Sequence, residues 1–196
     1  MENPIEVFKS LWLAARTEGA SQHRNAVCVS TIDQLGYPNS RFVDLKDVDG
    51  QGFVFCTSLD SAKALDIARN PKAGITMWWE HVSTQIRVKG TCTRISDNEA
   101  DAHWKTRIRE AQLATAAFAQ SQPLASLDLL PQQYRRAAAE YADKEISRPD
   151  GWGGFRLCPE HLEFLRFNEN RLHARTAYAL VNSQWERKLS SALTGP

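Results

Sequence analysis

Between Ala26 and Thr57 the chain passes through three short runs rich in Val, Phe and Thr, Ala26 to Ile32, Arg41 to Asp47 and Phe53 to Thr57. Asp33, Gly36, Pro38, Asp49, Gly50 and Gly52 cut them apart. β-Branched and aromatic residues fit a pleated, half-buried surface, and the residues between them turn the backbone cheaply, so this stretch predicts an antiparallel meander. The sheet resumes over Lys72 to Glu80 and over Thr84 to Ile95. In the latter Ile86 and Val88 alternate with Gln85, Arg87 and Lys89, and Gly90 marks a candidate bulge. Further strand-like runs follow at Gly154 to Cys158, His161 to Phe167, Thr176 to Val181 and Trp185 to Leu189.

Helices are expected between these strands. Ile5, Phe8, Leu11, Trp12 and Ala15 recur at helical spacing after Pro4, with Gly19 as the stop. Ser61 can cap a short helix carrying Ala64, Leu65 and Ala68 that ends at Asn70-Pro71. Ser96-Asp97-Asn98-Glu99 is a capping-box pattern and predicts a helix through Trp104 to about Phe118. Ser121 to Leu130 reads as a connection, and Pro131 opens a helix with Tyr134, Ala138 and Tyr141 on one face. The fold class is therefore mainly β with inserted helices (α+β), an antiparallel barrel rather than an alternating β/α fold. At 196 residues without repeats, one domain is expected.

Lys and Arg number 24 against 23 Asp and Glu, a formal net charge of +1. Such a chain has no long-range field to hold a polyanion, which argues against nucleic acid or an anionic membrane as partner. Any phosphate it binds should be small. Cys28, Cys56, Cys92 and Cys158 are dispersed, with no C-x-x-C spacing, so neither a metal site nor a disulfide framework is indicated. Charged residues interrupt every apolar window, and reduced thiols in the cytoplasm are expected. The chain also lacks G-x-G-x-x-G, P-loop, H-E-x-x-H and G-x-S-x-G motifs. What remains are cations close to hydroxyl and amide side chains: Arg41 and Lys46; Thr57, Ser61 and Lys63; Gln120 and Ser121; Arg171, His173 and Arg175. These are the donors a phosphate requires, though an ordinary solvated surface shows similar groupings.

Read in order, these pieces resemble the pyridoxamine/pyridoxine 5′-phosphate oxidase family of FMN-binding split barrels. The likeness runs through Arg41-Phe42-Val43-Asp44-Leu45-Lys46, Phe55 to Lys63, Asn70-Pro71, Gln85 and Gln120-Ser121. It ends on Trp152-Gly153-Gly154-Phe155-Arg156 and Arg171-Leu172-His173-Ala174-Arg175, the two most specific segments. It covers about four fifths of the chain. The resemblance implies an FMN site at a homodimer interface, formed by Arg41, Lys46, Cys56, Thr57, Ser61, Lys63, Gln85, Gln120, Ser121, Trp152 and Arg175. It implies Lys46, His103, Arg107, Arg171 and His173 for the substrate, with Arg171 and His173 catalytic, and residues 152–196 as the dimerisation and substrate segment. The implied activity is oxidation of a small phosphorylated pyridine by hydride transfer to flavin N5, with oxygen as acceptor. The alternatives are a same-fold oxidase with another substrate, of phenazine-pathway type, and a flavin-binding protein without turnover.

Three positions depart from the family pattern: Ala111 stands where a substrate-phosphate serine is usual, His103 where a tyrosine is, and Ala62 where a flavin-phosphate arginine is. A straight strand would also put Arg41 and Lys46 on opposite faces, so a bulge or strand end must lie between them if both reach one pocket. Trp78-Trp79 are read as strand packing residues. Together with Phe164 they are apolar positions that a dimer would cover. Glu160-His161 is expected at a turn or surface, and Arg135-Arg136 on a solvated helix face.

Overall fold

A computed structural model describes residues 2–18, 25–118 and 123–191. The elements are α1 (Pro4–Glu18), β1 (Ala26–Ile32), β2 (Pro38–Asp49), β3 (Gly52–Ser58), α2 (Ala62–Arg69), β4 (Lys72–Trp79), β5 (Thr84–Arg94), α3 (Asp97–Lys105), α4 (Arg109–Ala117), α5 (Leu129–Glu140), β6 (Trp152–Arg166), β7 (Ala174–Val181) and β8 (Gln184–Ser191). The expected helix stop at Gly19 and the Gln120-Ser121 pair lie outside the described residues.

The strands form one antiparallel sheet in the order β3-β2-β1-β4-β5-β6-β7-β8, and β6 returns to pair with β3, which closes β1 to β6 into a six-stranded barrel. The seam is β6. Its first half lies between β3 and β5, while its second half, from His161 to Arg166, leaves β3 behind and pairs with β5 and β7. Pairing with β6 covers the β3 edge that an open sheet would present. Inside lie Val27, Val29, Leu45, Phe53, Phe55, Ile75, Ile86, Val88, Leu157 and Leu162, all buried. The apolar stripe of α1 packs on this core, with Phe8 edge-on to Phe53 at 4.8 Å and 5.2 Å from Trp79. Burying one such ring contributes about 1.5–3 kcal/mol.

Two bulges set the directions of side chains. In the β2–β3 ladder Leu45 faces Phe55 and Asp47 faces Val54, so Lys46 is the extra residue. This reverses the strand parity between Arg41 and Lys46 and lets both line one cleft. In the β5–β6 ladder Lys89 pairs with His161 and Gly90 with Pro159, leaving Glu160 as the extra residue. A Cβ on Gly90 would stand 2.0 Å from the Cys158 carbonyl oxygen, so this crossing requires glycine. Pro159 has no N–H to offer a ladder and suits a bulge. The two runs expected at 154–158 and 161–167 are therefore one bent strand.

A second apolar cluster packs α3, α4 and α5 against the barrel wall. Trp104 meets Trp152 edge-on at 5.0 Å and donates its indole N–H to the Ile146 carbonyl at 2.7 Å. Tyr134, Ala138 and Tyr141 pack on it as the periodicity predicted. The capping box is formed: Ser96 Oγ accepts from the Glu99 N–H at 3.3 Å, and Glu99 Oε2 accepts from the Ser96 N–H at 3.1 Å. Arg156 donates to Asp49 and to Glu99 at 2.5 Å, tying the β2–β3 turn, β6 and α3 together.

Four local expectations are corrected. The single helix predicted from Asp97 to Phe118 is two, because the Thr106 hydroxyl donates to the His103 carbonyl at 2.9 Å and the Arg107 N–H to the Trp104 carbonyl at 3.1 Å, closing α3. The buried face of α2 is Lys63, Ala64, Asp66 and Ile67, whereas Leu65 is 46% exposed and Ala68 is also exposed. Ser61 occupies the N-cap position, but its side chain does not cap the helix and donates instead to the Ser58 carbonyl at 2.7 Å. Trp79 and Phe164 are already buried within one chain, so of the three apolar positions assigned to a dimer only Trp78, at 48% exposure, remains uncovered.

Candidate functional site

Where the C-terminal end of β3 meets the start of α2, the chain builds a cleft of about 1040 Å³. One wall is β2 and β3 with Arg41, Lys46, Cys56 and Thr57. The floor includes Lys63, and the opposite wall is the α3–α4 junction, with Arg107, Ile108, Ala111, Ala114, Thr115 and Phe118, closed at one end by Trp152. Thr57 and Ser61 share a hydrogen bond at 3.2 Å, which holds Ser61 directly beneath.

The electrostatics of the floor are unusual. Lys63 is only 7% exposed, its ammonium donates to Thr57 Oγ1 at 3.0 Å, and no carboxylate among the described residues pairs with it. Burial, and then the neighbouring Arg41, push its pKa below the usual lysine value. Arg41 is aimed by two residues that sequence reasoning missed. Its Nη1 donates to Thr31 Oγ1 at 2.6 Å, and the Thr31 hydroxyl donates to Asp66 Oδ2 at 2.7 Å. Asp66, 3% exposed on the inner face of α2, lies 3.7 Å from Arg41 Nη2. The available signal was an aspartate three residues after a lysine, which puts both on one face of a short helix. Two cations thus converge at a helix N-terminus that no side chain caps, an arrangement suited to a small anion.

Higher in the cleft Lys46 pairs with Asp44 at 2.7 Å. Burial pushes the Cys56 thiol up to about 11, so it stays protonated at neutral pH. Arg107 lies over Trp104 and Trp152, with its guanidinium carbon 5.6 and 5.2 Å from the ring centres. Its Nη2 donates to the Ala111 carbonyl at 3.0 Å and to Thr115 Oγ1 at 3.1 Å, and its Nε is buried without a partner. Trp152 is a core residue packed on Trp104 and a cleft residue at once. The glycine two residues on has a geometric cause, since a Cβ at Gly154 would sit 2.6 Å from the Phe55 carbonyl oxygen.

The remaining described candidates are elsewhere. His103 is on α3 and does not line the cleft. Gln85 and Arg175 face Leu165 from either side, near the far end of β6. Leu165 is thirteen positions beyond Trp152 on that strand, roughly 40 Å for extended backbone. Arg175 is 3.7 Å from Glu163, and its Nε is buried without a hydrogen-bond partner. Arg171 and His173 belong to the β6–β7 connection. Arg171 holds a left-handed backbone with φ of 64°. His173 Nδ1 accepts the Asn168 N–H at 3.1 Å, and its ring lies 4.6 Å from Phe167, which is edge-on to Trp78. With Nδ1 accepting, a neutral imidazole carries its proton on Nε2. One chain therefore presents two groups of candidate residues at opposite ends of β6, and they do not meet within it.

The comparisons with known proteins bear on the same residues. A family model described as pyridoxamine 5′-phosphate oxidase matches residues 14–139, and one described as the pyridoxine 5′-phosphate oxidase C-terminal dimerisation region matches residues 152–191. The chain is 39% identical over 177 residues to a pyridoxine/pyridoxamine 5′-phosphate oxidase of Rhodopseudomonas palustris, covering 90% of this chain and 83% of the relative. It is 35% identical over 187 residues to one of Myxococcus xanthus, covering 95% and 90%. Among solved structures, PhzG from Burkholderia lata, determined with tetrahydrophenazine-1-carboxylic acid, superposes with a TM-score of 0.89 at 25% identity, over 97% of this chain and 93% of that one. A pyridoxamine 5′-phosphate oxidase-related, FMN-binding protein from Nostoc punctiforme shares the fold, with a TM-score of 0.78 at 18% identity, covering 96% and 97%. By sequence, over nearly its whole length, and by fold, the chain belongs to the pyridoxamine 5′-phosphate oxidase family.

Proposed function

We propose that this protein is an FMN-dependent oxidase of pyridoxamine or pyridoxine 5′-phosphate that works as a homodimer. The observation that carries the reading is the buried, acid-free Lys63 beside Arg41 at the open N-terminus of α2. Folding leaves an ammonium bonded to one hydroxyl beside a second cation, an arrangement that a dianionic phosphate would complete. That donor set fits the 5′-phosphate of FMN, with Arg41, Thr57 and Lys63 as its ligands, Ser61 supporting Thr57 from behind, and Cys56 and Trp152 along the cleft; the family resemblance adds Gln120 and Ser121 to the set. Bound FMN would supply a two-electron acceptor at N5 that oxygen can reoxidise.

The chain's own residues have distinct tasks. Lys46 and Arg107 would take the substrate phosphate, and His103 would support it from α3. Arg171, His173, Gln85 and Arg175 would reach the cleft from the partner's copy of β5, β6 and the β6–β7 connection, because in one chain they sit a strand's length away. His173 would present Nε2–H to the substrate, Arg171 would fix the pyridine ring, and Arg175 with Gln85 would offer a cation and an amide to charge developing on the isoalloxazine. The segment from Trp152 onward would then serve both dimerisation and substrate binding, in an oxidase of the cytoplasm.

A second reading has its own observation. Ala111, Ile108, Ala114 and Phe118 make an apolar face on α4 where the family usually carries a hydroxyl, and PhzG superposes closely. A larger, less polar ring system would suit that wall. Anaerobic mixing of the FMN-loaded protein with pyridoxine 5′-phosphate, pyridoxamine 5′-phosphate or tetrahydrophenazine-1-carboxylic acid separates the readings. Bleaching of flavin absorbance by the pyridine phosphates supports the first, bleaching only by the carboxylate supports the second, and no bleaching leaves a flavin carrier without turnover.

A further inference from the structure

Arg107 is held in a way that the other cleft cations are not, and the residue that holds it lies outside the family motif. We propose that Thr115 is the positioning residue for Arg107, its hydroxyl holding the guanidinium from one helical turn beyond Ala111, which has no hydroxyl to offer. This rests on the reading of Arg107 as an anion ligand. Thr115 Oγ1 accepts from Arg107 Nη2 at 3.1 Å while donating to the Ala111 carbonyl at 2.9 Å, and the same Nη2 donates to that carbonyl at 3.0 Å. The three groups form a closed triangle that pins one corner of the guanidinium to the helix. The rings of Trp104 and Trp152 confine its plane.

The pinning matters because α4 offers no carboxylate there, and an arginine without an anchor has several rotamers of similar energy. Nη2 is committed to α4 and Nε is buried, which leaves Nη1, unpartnered among the described residues, as the donor turned to a ligand. Thr115 itself lines the cleft, and because positions four apart share a helix face, its hydroxyl stands above Ala111. At the α4 side of the anion site the cation is thereby oriented by a neutral hydroxyl, and its geometry depends on residue 115.

The test compares Thr115→Val, which keeps the shape and removes the hydroxyl, with Thr115→Ser, which keeps the hydroxyl. In the FMN-loaded, ¹⁵N-labelled protein the Arg107 Nε–H resonance, assigned by its absence in Arg107→Lys, should exchange slowly with solvent in wild type and Thr115→Ser. It should exchange at least about tenfold faster in Thr115→Val. Titration with pyridoxine 5′-phosphate, and separately with inorganic phosphate, should show about 5- to 10-fold weaker binding in Thr115→Val, with Thr115→Ser within twofold of wild type and FMN affinity unchanged in both. Unaltered Nε–H exchange in Thr115→Val overturns the proposal, as does a Thr115→Ser variant no better than Thr115→Val or a parallel loss of FMN. If wild type binds neither probe, the substrate reading fails, while the exchange measurement still decides whether Thr115 holds Arg107.

Discussion

Replacing Lys63 by methionine should move folding stability and cofactor affinity in opposite directions. In the FMN-free protein the ammonium is buried, bonded to one hydroxyl and crowded by Arg41, so it is better tolerated without its charge. Methionine keeps the aliphatic volume and removes the charge, so chemical denaturation of the FMN-free protein should show equal or greater stability. The pH dependence has the same origin. Because the folded-state pKa is depressed, the unfolded chain binds more protons between that value and the usual 10.5, so stability rises with pH across that window and the charge penalty is complete below it. Lys63→Met should flatten this rise. With phosphate bound the same ammonium becomes a charge-assisted donor worth about 1.5–3 kcal/mol, so FMN should bind roughly 10- to 150-fold more weakly. Quenching of flavin fluorescence on titration into the FMN-free protein measures this directly. Arg87→Ala is the control: Arg87 is on the solvated face, 3.4 Å from Glu163, in an exposed pair worth about 0–1 kcal/mol. If Lys63→Met binds FMN as tightly as wild type or Arg87→Ala, Lys63 is not a phosphate ligand. If it loses stability without FMN, the ammonium is a structural group after all.

Arg171→Ala and His173→Ala should each leave FMN bound while slowing substrate-driven flavin reduction at least ~10-fold, about 1.4 kcal/mol of transition-state stabilisation, whereas Arg175→Ala should weaken FMN; stopped-flow bleaching and flavin titration separate the two effects. Light scattering on the FMN-bound protein over a dilution series should give twice the chain mass, and a monomer that retains flavin would contradict a cleft completed by the partner. Gly90→Ala should cost at least ~1–3 kcal/mol, read as a lower denaturant midpoint, since its Cβ would meet the Cys158 carbonyl at 2.0 Å. Burial raises the Asp49 carboxyl, but hydrogen bonds from Arg156 and the Gln51 and Gly52 N–H groups outweigh it. The Ser96 N–H and then Arg156 lower Glu99, so both carboxyls sit below their usual 3.8 and 4.5. Their stabilisation is complete above about pH 4.5 and lost as pH falls through the lower folded-state values, a loss that Arg156→Gln should reduce in acid denaturation.

The strands, the capping box and α1 were legible in the sequence because their causes are local. Val, Phe and Thr alternate between turn formers, Ser96 and Glu99 satisfy each other within one turn, and Phe8 and Trp12 share a stripe by helical period alone. The break between α3 and α4 was not legible, since the apolar spacing continues across Thr106, where the Thr106 hydroxyl and the Arg107 N–H close α3 and the backbone turns extended at Ile108. Asp66 escaped notice for a related reason: its value lies in Thr31 and Arg41, both more than 20 residues away along the chain.

The ordered motifs from Arg41 to Arg175, taken with the family they resemble, singled out the residue types of the candidate site, its cations above all. Only the tertiary structure decided how those residues divide. Barrel closure through β6 puts Arg41, Lys46, Lys63, Arg107 and Trp152 around one cleft and leaves Gln85, Arg171, His173 and Arg175 at the other end of the same strand. The extra residue at Lys46, which no residue preference announces, turns that side chain to the face of Arg41. The chemistry of a side chain is local, whereas its direction and its neighbours depend on strand register, and register is decided by long-range pairing across the whole sheet.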